Sequence, residues 1–190
     1  MTNFEFVFSL FGLLMGLSLA EVLRGFGRAV KARGRVRIGW LTPLLGMLVM
    51  LDLTSFWINA WQVREAIEVN YLTLMLLLIL TCLYYLAATM VFPETPDTVG
   101  DFDAHFWANK RLVLLIVLGL NIPNYIGDFV LSRIHFSSAF SIAVSVTFLL
   151  LMVLAVFARG TRLNVIVLAA LVSLYPLSST VSAVRMALAG

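Results

Sequence analysis

The sequence predicts an all-α polytopic membrane protein: one domain of six transmembrane helices, with both termini outside. Three observations carry this expectation. Hydrophobic residues make up 62% of the chain and charged residues 12%, with a mean hydropathy of +1.01, whereas soluble domains are about 25% charged. Six stretches reach the roughly 20 apolar residues needed to cross a hydrocarbon core of about 30 Å. The basic residues fall on alternate connectors, as the positive-inside rule requires of a multi-pass protein.

The expected spans are Phe4–Leu23, Ile38–Trp61, Tyr71–Phe92, Leu112–Ser132, Ser138–Ala158 and Leu163–Leu188. Span 1 is preceded by Glu5 and followed by Arg24 and Arg28. A secretory signal carries its positive charge before the apolar run, so this order predicts a retained span. Gly12, Gly16 and Ala20, with Ser9 before them, place small residues on one helix face where another helix can approach closely. That neighbour is either a helix of the same chain or one of a second copy.

Between spans 1 and 2 lie Arg24, Arg28, Lys31, Arg33, Arg35 and Arg37; Lys110 and Arg111 lie between 3 and 4, and Arg159 and Arg162 between 5 and 6. Ten of the thirteen basic residues are thus on one side, leaving Arg64, Arg133 and Arg185 for the other. This side is read as cytoplasmic, which places the chain in a membrane of the bacterial inner type. Arg24, Arg28, Lys31 and Arg35 recur at helical spacing and are read as anionic-headgroup contacts. A pI of 9.4 therefore reports topology, and no nucleic-acid partner is expected. Glu21 is expected to pair with Arg24 or Arg28.

The longest connector, Pro93–Arg111, has nineteen residues, so no soluble domain fits outside the spans. Its Phe102, Phe106 and Trp107 are read as lying at the headgroup level beside a solvated or interfacial His105. Cys82 is the only cysteine and His135 lies across the membrane from His105 in this topology. No disulfide, metal site or cofactor is therefore expected, and Cys82 reads as a small buried hydrophobe.

Asp52 is the most informative residue, because a carboxylate within a span costs roughly 2.5–3.5 kcal/mol on insertion scales and usually faces protein or water. Asp52, Ser55, Asn59 and Gln62 share one face of span 2 at i, i+3, i+7 and i+10. Asn121, Asn124, Asp128 and Ser132 repeat the pattern in span 4, and Tyr175, Ser178, Ser182 and Arg185 form a third line in span 6. All three lines occupy the halves away from the basic connectors. At about 1.5 Å per residue, Asp52 lies about 13 Å from that end of its span, Asp128 about 6 Å and Arg185 within about 5 Å. Pro123 and Pro176 sit among these groups and can free backbone carbonyls toward a common space.

If Arg185 pairs with Asp128, Asp52 lacks a basic partner and must be neutral, hydrated or cation-bound. The chain is thus expected to carry a periplasm-facing polar cavity that handles an ion or small solute, as a transporter, channel subunit or receptor. The ligand-binding set is Asp52, Ser55, Asn59, Asn121, Asn124, Asp128, Tyr175 and Arg185. Besides the lipid bilayer, the expected partner is a second copy or another membrane subunit, and the alternative function is an accessory or assembly subunit without turnover. Asp128, within Tyr125-Ile126-Gly127-Asp128, resembles the GxGD aspartyl proteases of membranes, although the first glycine is absent. An enzyme is the weaker reading, since it would need two closely apposed carboxyl groups.

Overall fold

The computed structural model describes residues 3–62, 70–95, 100–130 and 139–189. For residues 3–7, 124, 126–130, 139, 141 and 182–189 it describes the backbone alone. The side chains of Asn124, Asp128, Ser182 and Arg185 and the whole of Arg64, Ser132, Arg133 and His135 therefore lie outside the described residues.

The protein is all-helical, built from α1 (Asn3–Ala32), α2 (Leu41–Gln62), α3 (Tyr71–Val91), α4 (Phe102–Val130), α5 (Ala139–Phe157) and α6 (Thr161–Ala189). Five of these six are long and apolar enough to cross a membrane; in α5 the apolar run is the shorter Ile142–Phe157. The helix α5 has 19 residues, a rise of roughly 28 Å, close to the hydrocarbon thickness.

Local chemistry sets several helix ends. Asn70, extended at φ −138° and ψ 171°, caps α3 by accepting the Thr73 N–H at 2.9 Å. Pro43 falls in the first turn of α2, where its missing N–H has no intrahelical partner in any case. Gly34, at φ 96°, turns the chain out of α1, and Arg35 and Val36 return their N–H groups to the Ala32 carbonyl. The helix continues through Gly25 and Gly27, although glycine is a weak helix former. Gly25 is held there by packing, because a side chain at this position would enter the buried Phe92 ring.

Helix α2 is the hub of the bundle. It touches α1, α3, α4 and α6, and half of its apolar window is buried, more than in any other span. Helix α1 packs on α3 and α2, α3 on α4, and α5 on α4 and α6. At the basic end the core joins Leu41, Leu45 and Leu48 of α2 to Phe92, Phe102, Phe106, Met152 and Leu168. Farther along, Phe11 and Met15 of α1 meet Leu53 and Phe56 of α2, Tyr84 of α3 and Leu120 of α4. The Phe56 and Tyr84 rings lie 5.2 Å apart between centroids.

Helix α4 starts at Phe102, ten residues before the expected span. The Phe102 N–H donates to the Arg37 carbonyl at 3.0 Å, Thr42 Oγ1 donates to the Phe102 carbonyl at 2.9 Å, and Asp101 Oδ1 accepts the Asp103 N–H at 2.9 Å. These bonds pull the connector into the protein. Phe102 and Phe106 are consequently buried in the core and do not lie at the headgroup level as their sequence context suggested. His105 is half-buried, with Nε2 3.1 Å from the Met90 carbonyl of α3, which makes Nε2 the protonated nitrogen. Cys82 faces outward from α3, so its expected burial is corrected as well.

Lys110, read from sequence as a topology marker, is only 3% exposed. Its Nζ donates to the Ala155 carbonyl at 3.1 Å, to Asn164 Oδ1 at 3.0 Å and to the Ala158 carbonyl, and it lies 4.6 Å from the Trp107 ring centroid. Asn164 Nδ2 donates to the Ala158 and Gly160 carbonyls at 3.1 and 2.9 Å. An ammonium and an amide thus satisfy the carbonyls left over at the end of α5, where the helix dipole favours a positive charge.

Packing of this density has a direct test. Replacement Gly25→Ala forces a methyl group onto a Phe92 ring already confined by Phe26 and Gly46, and overpacking of that kind costs about 1–3 kcal/mol. Thermal melting in detergent micelles is expected to show a lower midpoint for Gly25→Ala. Gly16→Ala, whose methyl would meet nothing within 4 Å, is expected to melt with the wild type.

Candidate functional site

Asp52 is 2% exposed and accepts hydrogen bonds from three other helices. The Tyr84 hydroxyl of α3 donates to Oδ2 at 2.8 Å, while the Tyr175 hydroxyl of α6 and Asn121 Nδ2 of α4 each donate to Oδ1 at 2.8 Å. Asn121 Nδ2 also donates to the Val117 carbonyl at 2.9 Å, which fixes the orientation of the amide. The carboxyl group therefore sits where α2, α3, α4 and α6 converge. Among the described residues no lysine or arginine reaches it.

Two polar cavities adjoin this centre. One, of about 140 Å³, lies among α2, α4, α5 and α6 and is lined by Ser55, Asn121, Tyr125, Ser145, Tyr175 and Ser178, with the Phe148 ring edge-on to Tyr175 at 5.8 Å between centroids. The other, of about 250 Å³, runs along α2 past Ser55, Asn59 and Gln62, with Asn121 and Tyr125 opposite. Asn121 and Ser55 border both, and Tyr175 borders the first while its hydroxyl binds Asp52. From the level of Asp52 the second cavity extends along α2 toward Gln62, away from the basic connectors.

Of the residues singled out from sequence, the structure brings Asp52, Ser55, Asn59, Asn121 and Tyr175 into this region. The side chains of Asn124, Asp128 and Arg185 lie outside the described residues. Both prolines fall within continuous helices, α4 through Pro123 and α6 through Pro176. The helical spacing of the stripes on α2 and α4 is what aligns Asp52, Ser55 and Asn59 with Asn121.

Tyr84, Tyr125 and Ser145 escaped the sequence reading. Tyr84 carried a usable signal, since a phenol inside the aliphatic run Tyr71–Val91 needs a polar partner for its hydroxyl. Tyr125 follows Asn121 by four residues on the same helix face and was legible on that ground. Ser145 gave no comparable signal, because a lone serine in a span can bond to its own helix backbone.

The remaining candidates are arranged differently. Gly12 packs on Trp57 of α2, whereas Gly16 and Ala20 face outward. Glu21 binds Arg24 at 2.9 Å and Arg28 at 3.2 Å, and Lys31 and Arg35 are exposed at the basic end. No group of three His, Cys, Asp or Glu side chains converges among the described residues.

Each of Tyr84→Phe, Tyr175→Phe and Asn121→Leu removes one donor from a buried carboxyl group, a loss of about 1–3 kcal/mol when a buried polar group is left unsatisfied. Denaturant unfolding in micelles is expected to show all three destabilised and their effects non-additive, because they share one acceptor. Additive effects would show that the three donors do not act on a common group. Comparison of the chain with protein-family models, curated proteins and solved structures finds no match in any of the three.

Proposed function

We propose that the protein binds an ion or small solute at Asp52 and the adjoining polar cavities, acting as a transporter, channel subunit or receptor. One observation carries the reading: a buried carboxyl group without a described basic partner lies beside polar cavities in a multi-pass bundle. Polar and ionisable groups at that depth usually mark a ligand or ion path. Ser55, Asn59, Asn121, Tyr125, Tyr175 and Ser178 supply hydroxyl and amide groups that suit a neutral or cationic guest. Asn124, Asp128 and Arg185 belong to the same proposed set by helical spacing.

Orientation follows from the positive-inside rule. The basic end is placed in the cytoplasm of a bacterial inner membrane, so that both termini and the cavity end beyond Asn59 face the periplasm. The outward-facing Gly16 and Ala20 support contact with a second copy, and the basic residues Arg24, Arg28, Lys31 and Arg35 support contact with anionic headgroups.

A second reading is an accessory subunit in which Asp52 only ties helices together. It draws on the three donors that already satisfy the carboxyl oxygens. Flux measurements on protein reconstituted in lipid vesicles separate the two, with protons, sodium and potassium each followed by an indicator dye. Ion movement above that of empty vesicles is expected, with Asp52→Asn lowering it by roughly tenfold or more, the equivalent of about 1.4 kcal/mol. Equal flux in wild type and a folded Asp52→Asn variant would remove Asp52 from the path. Stoichiometric copurification of another membrane protein would then favour the accessory role.

A further inference from the structure

We propose that the species taken up by Asp52 is a proton, bound at Oδ2 through Tyr84, and that the centre rejects metal cations. This inference rests on the preceding reading of Asp52 as the binding group and names its ligand. The two carboxyl oxygens of Asp52 are inequivalent.

Oδ1 accepts from Asn121 Nδ2 and from the Tyr175 hydroxyl, both at 2.8 Å. An amide nitrogen can only donate, and the 2.9 Å contact of the same nitrogen to the Val117 carbonyl excludes the flipped amide. Oδ1 is thereby locked as an acceptor. Oδ2 has a single partner, the Tyr84 hydroxyl at 2.8 Å, and a hydroxyl can accept as readily as it donates.

Protonation then has one route that keeps every link to Asp52, with the Tyr84 hydrogen released from its bond. An O–H bond forms at Oδ2, the Tyr84 hydroxyl turns its hydrogen away, and the same hydrogen bond persists with donor and acceptor exchanged. Oδ1 becomes the carbonyl oxygen of the acid and keeps both donors. The charge at bilayer depth disappears while the links from α2 to α3, α4 and α6 remain.

A metal cation has no comparable route. Hard cations need several oxygen ligands in a close shell, but Oδ2 has only the Tyr84 hydroxyl oxygen beside it, and Asn121 presents nitrogen to Oδ1. The groups facing the centre from the neighbouring helices complete the case. Tyr84 comes from α3, Asn121 with Tyr125 from α4 and Tyr175 from α6, while α1 contributes the apolar Phe11 and Met15 and α5 contributes Phe148 behind the Tyr175 ring. No second carboxyl group among the described residues joins Asp52, and no described lysine or arginine neutralises it.

Infrared difference spectroscopy on the full chain in lipid vesicles tests the assignment through pH steps in sodium, potassium or calcium buffers. A carboxylic-acid carbonyl band is expected to rise as pH falls, with one midpoint in all three buffers. It is expected to shift with carboxyl-labelled aspartate and to vanish in Asp52→Asn. Should that variant fail to fold, Asp52→Glu serves instead, its band no longer responding to the aspartate label. A midpoint that moves with the concentration of one metal cation would overturn the proton assignment while leaving ion binding at Asp52 intact. Absence of a titrating band from Asp52 would overturn it too, and vesicle flux would judge the wider functional reading independently.

Discussion

A carboxyl group buried where a bilayer leaves no water must be met by donors from protein, and that requirement organises the centre of this molecule. Asp52 lies midway along α2, and its oxygens draw Tyr84, Asn121 and Tyr175 from three other helices. Between helices in lipid there is no hydrophobic driving force, so close packing and interhelical hydrogen bonds set which faces meet. The burial of α2 follows, since the helix carrying the acid has to be surrounded by the helices that carry its partners. Buried apolar residues flank the group along α2, Leu48 and Val49 toward the basic end and Leu53 and Phe56 beyond.

The basic end solves a different problem with the same chemistry. At the end of α5, Ala155 and Ala158 are buried against the protein, and their carbonyls are met by Lys110 and Asn164. The ammonium carries a full charge into the interior, but it meets three oxygens and an aromatic face, and the field of the helix end has the favourable sign. Together with the Arg37–Phe102 and Thr42–Phe102 bonds, this fixes the connectors against one another. One end of the bundle is therefore closed by specific polar contacts, and the polar cavities lie on the far side of Asp52.

These two polar centres differ in what they leave open. The acceptors around Lys110 are backbone carbonyls and one amide oxygen, which can only accept. Around Asp52 two of the three partners are hydroxyls, which can reverse their hydrogen bonds, and two of the three border cavities. Asp52 thus combines a hydroxyl partner able to exchange donor and acceptor, Tyr84, with two partners, Asn121 and Tyr175, that border polar cavities.

The sequence by itself determined the class of the protein, the helices and the residue at its centre. Apolar run length sets the number of helices because hydrocarbon admits only backbones that satisfy themselves. The isolation of Asp52 among apolar neighbours marked its importance for the same reason, and helical spacing put Ser55 and Asn59 on its face. What only the tertiary structure decided was which groups meet it. Tyr84 is separated from Asp52 by 32 residues and Tyr175 by 123, and no local pattern records the relative rotation and height of helices. The same limit explains Lys110 and Phe102. Their neighbours in sequence describe a membrane boundary, but the carbonyls and apolar surfaces that bury them belong to other parts of the chain. Asp52 was legible because its cost is local, and its partners were hidden because they are supplied by packing.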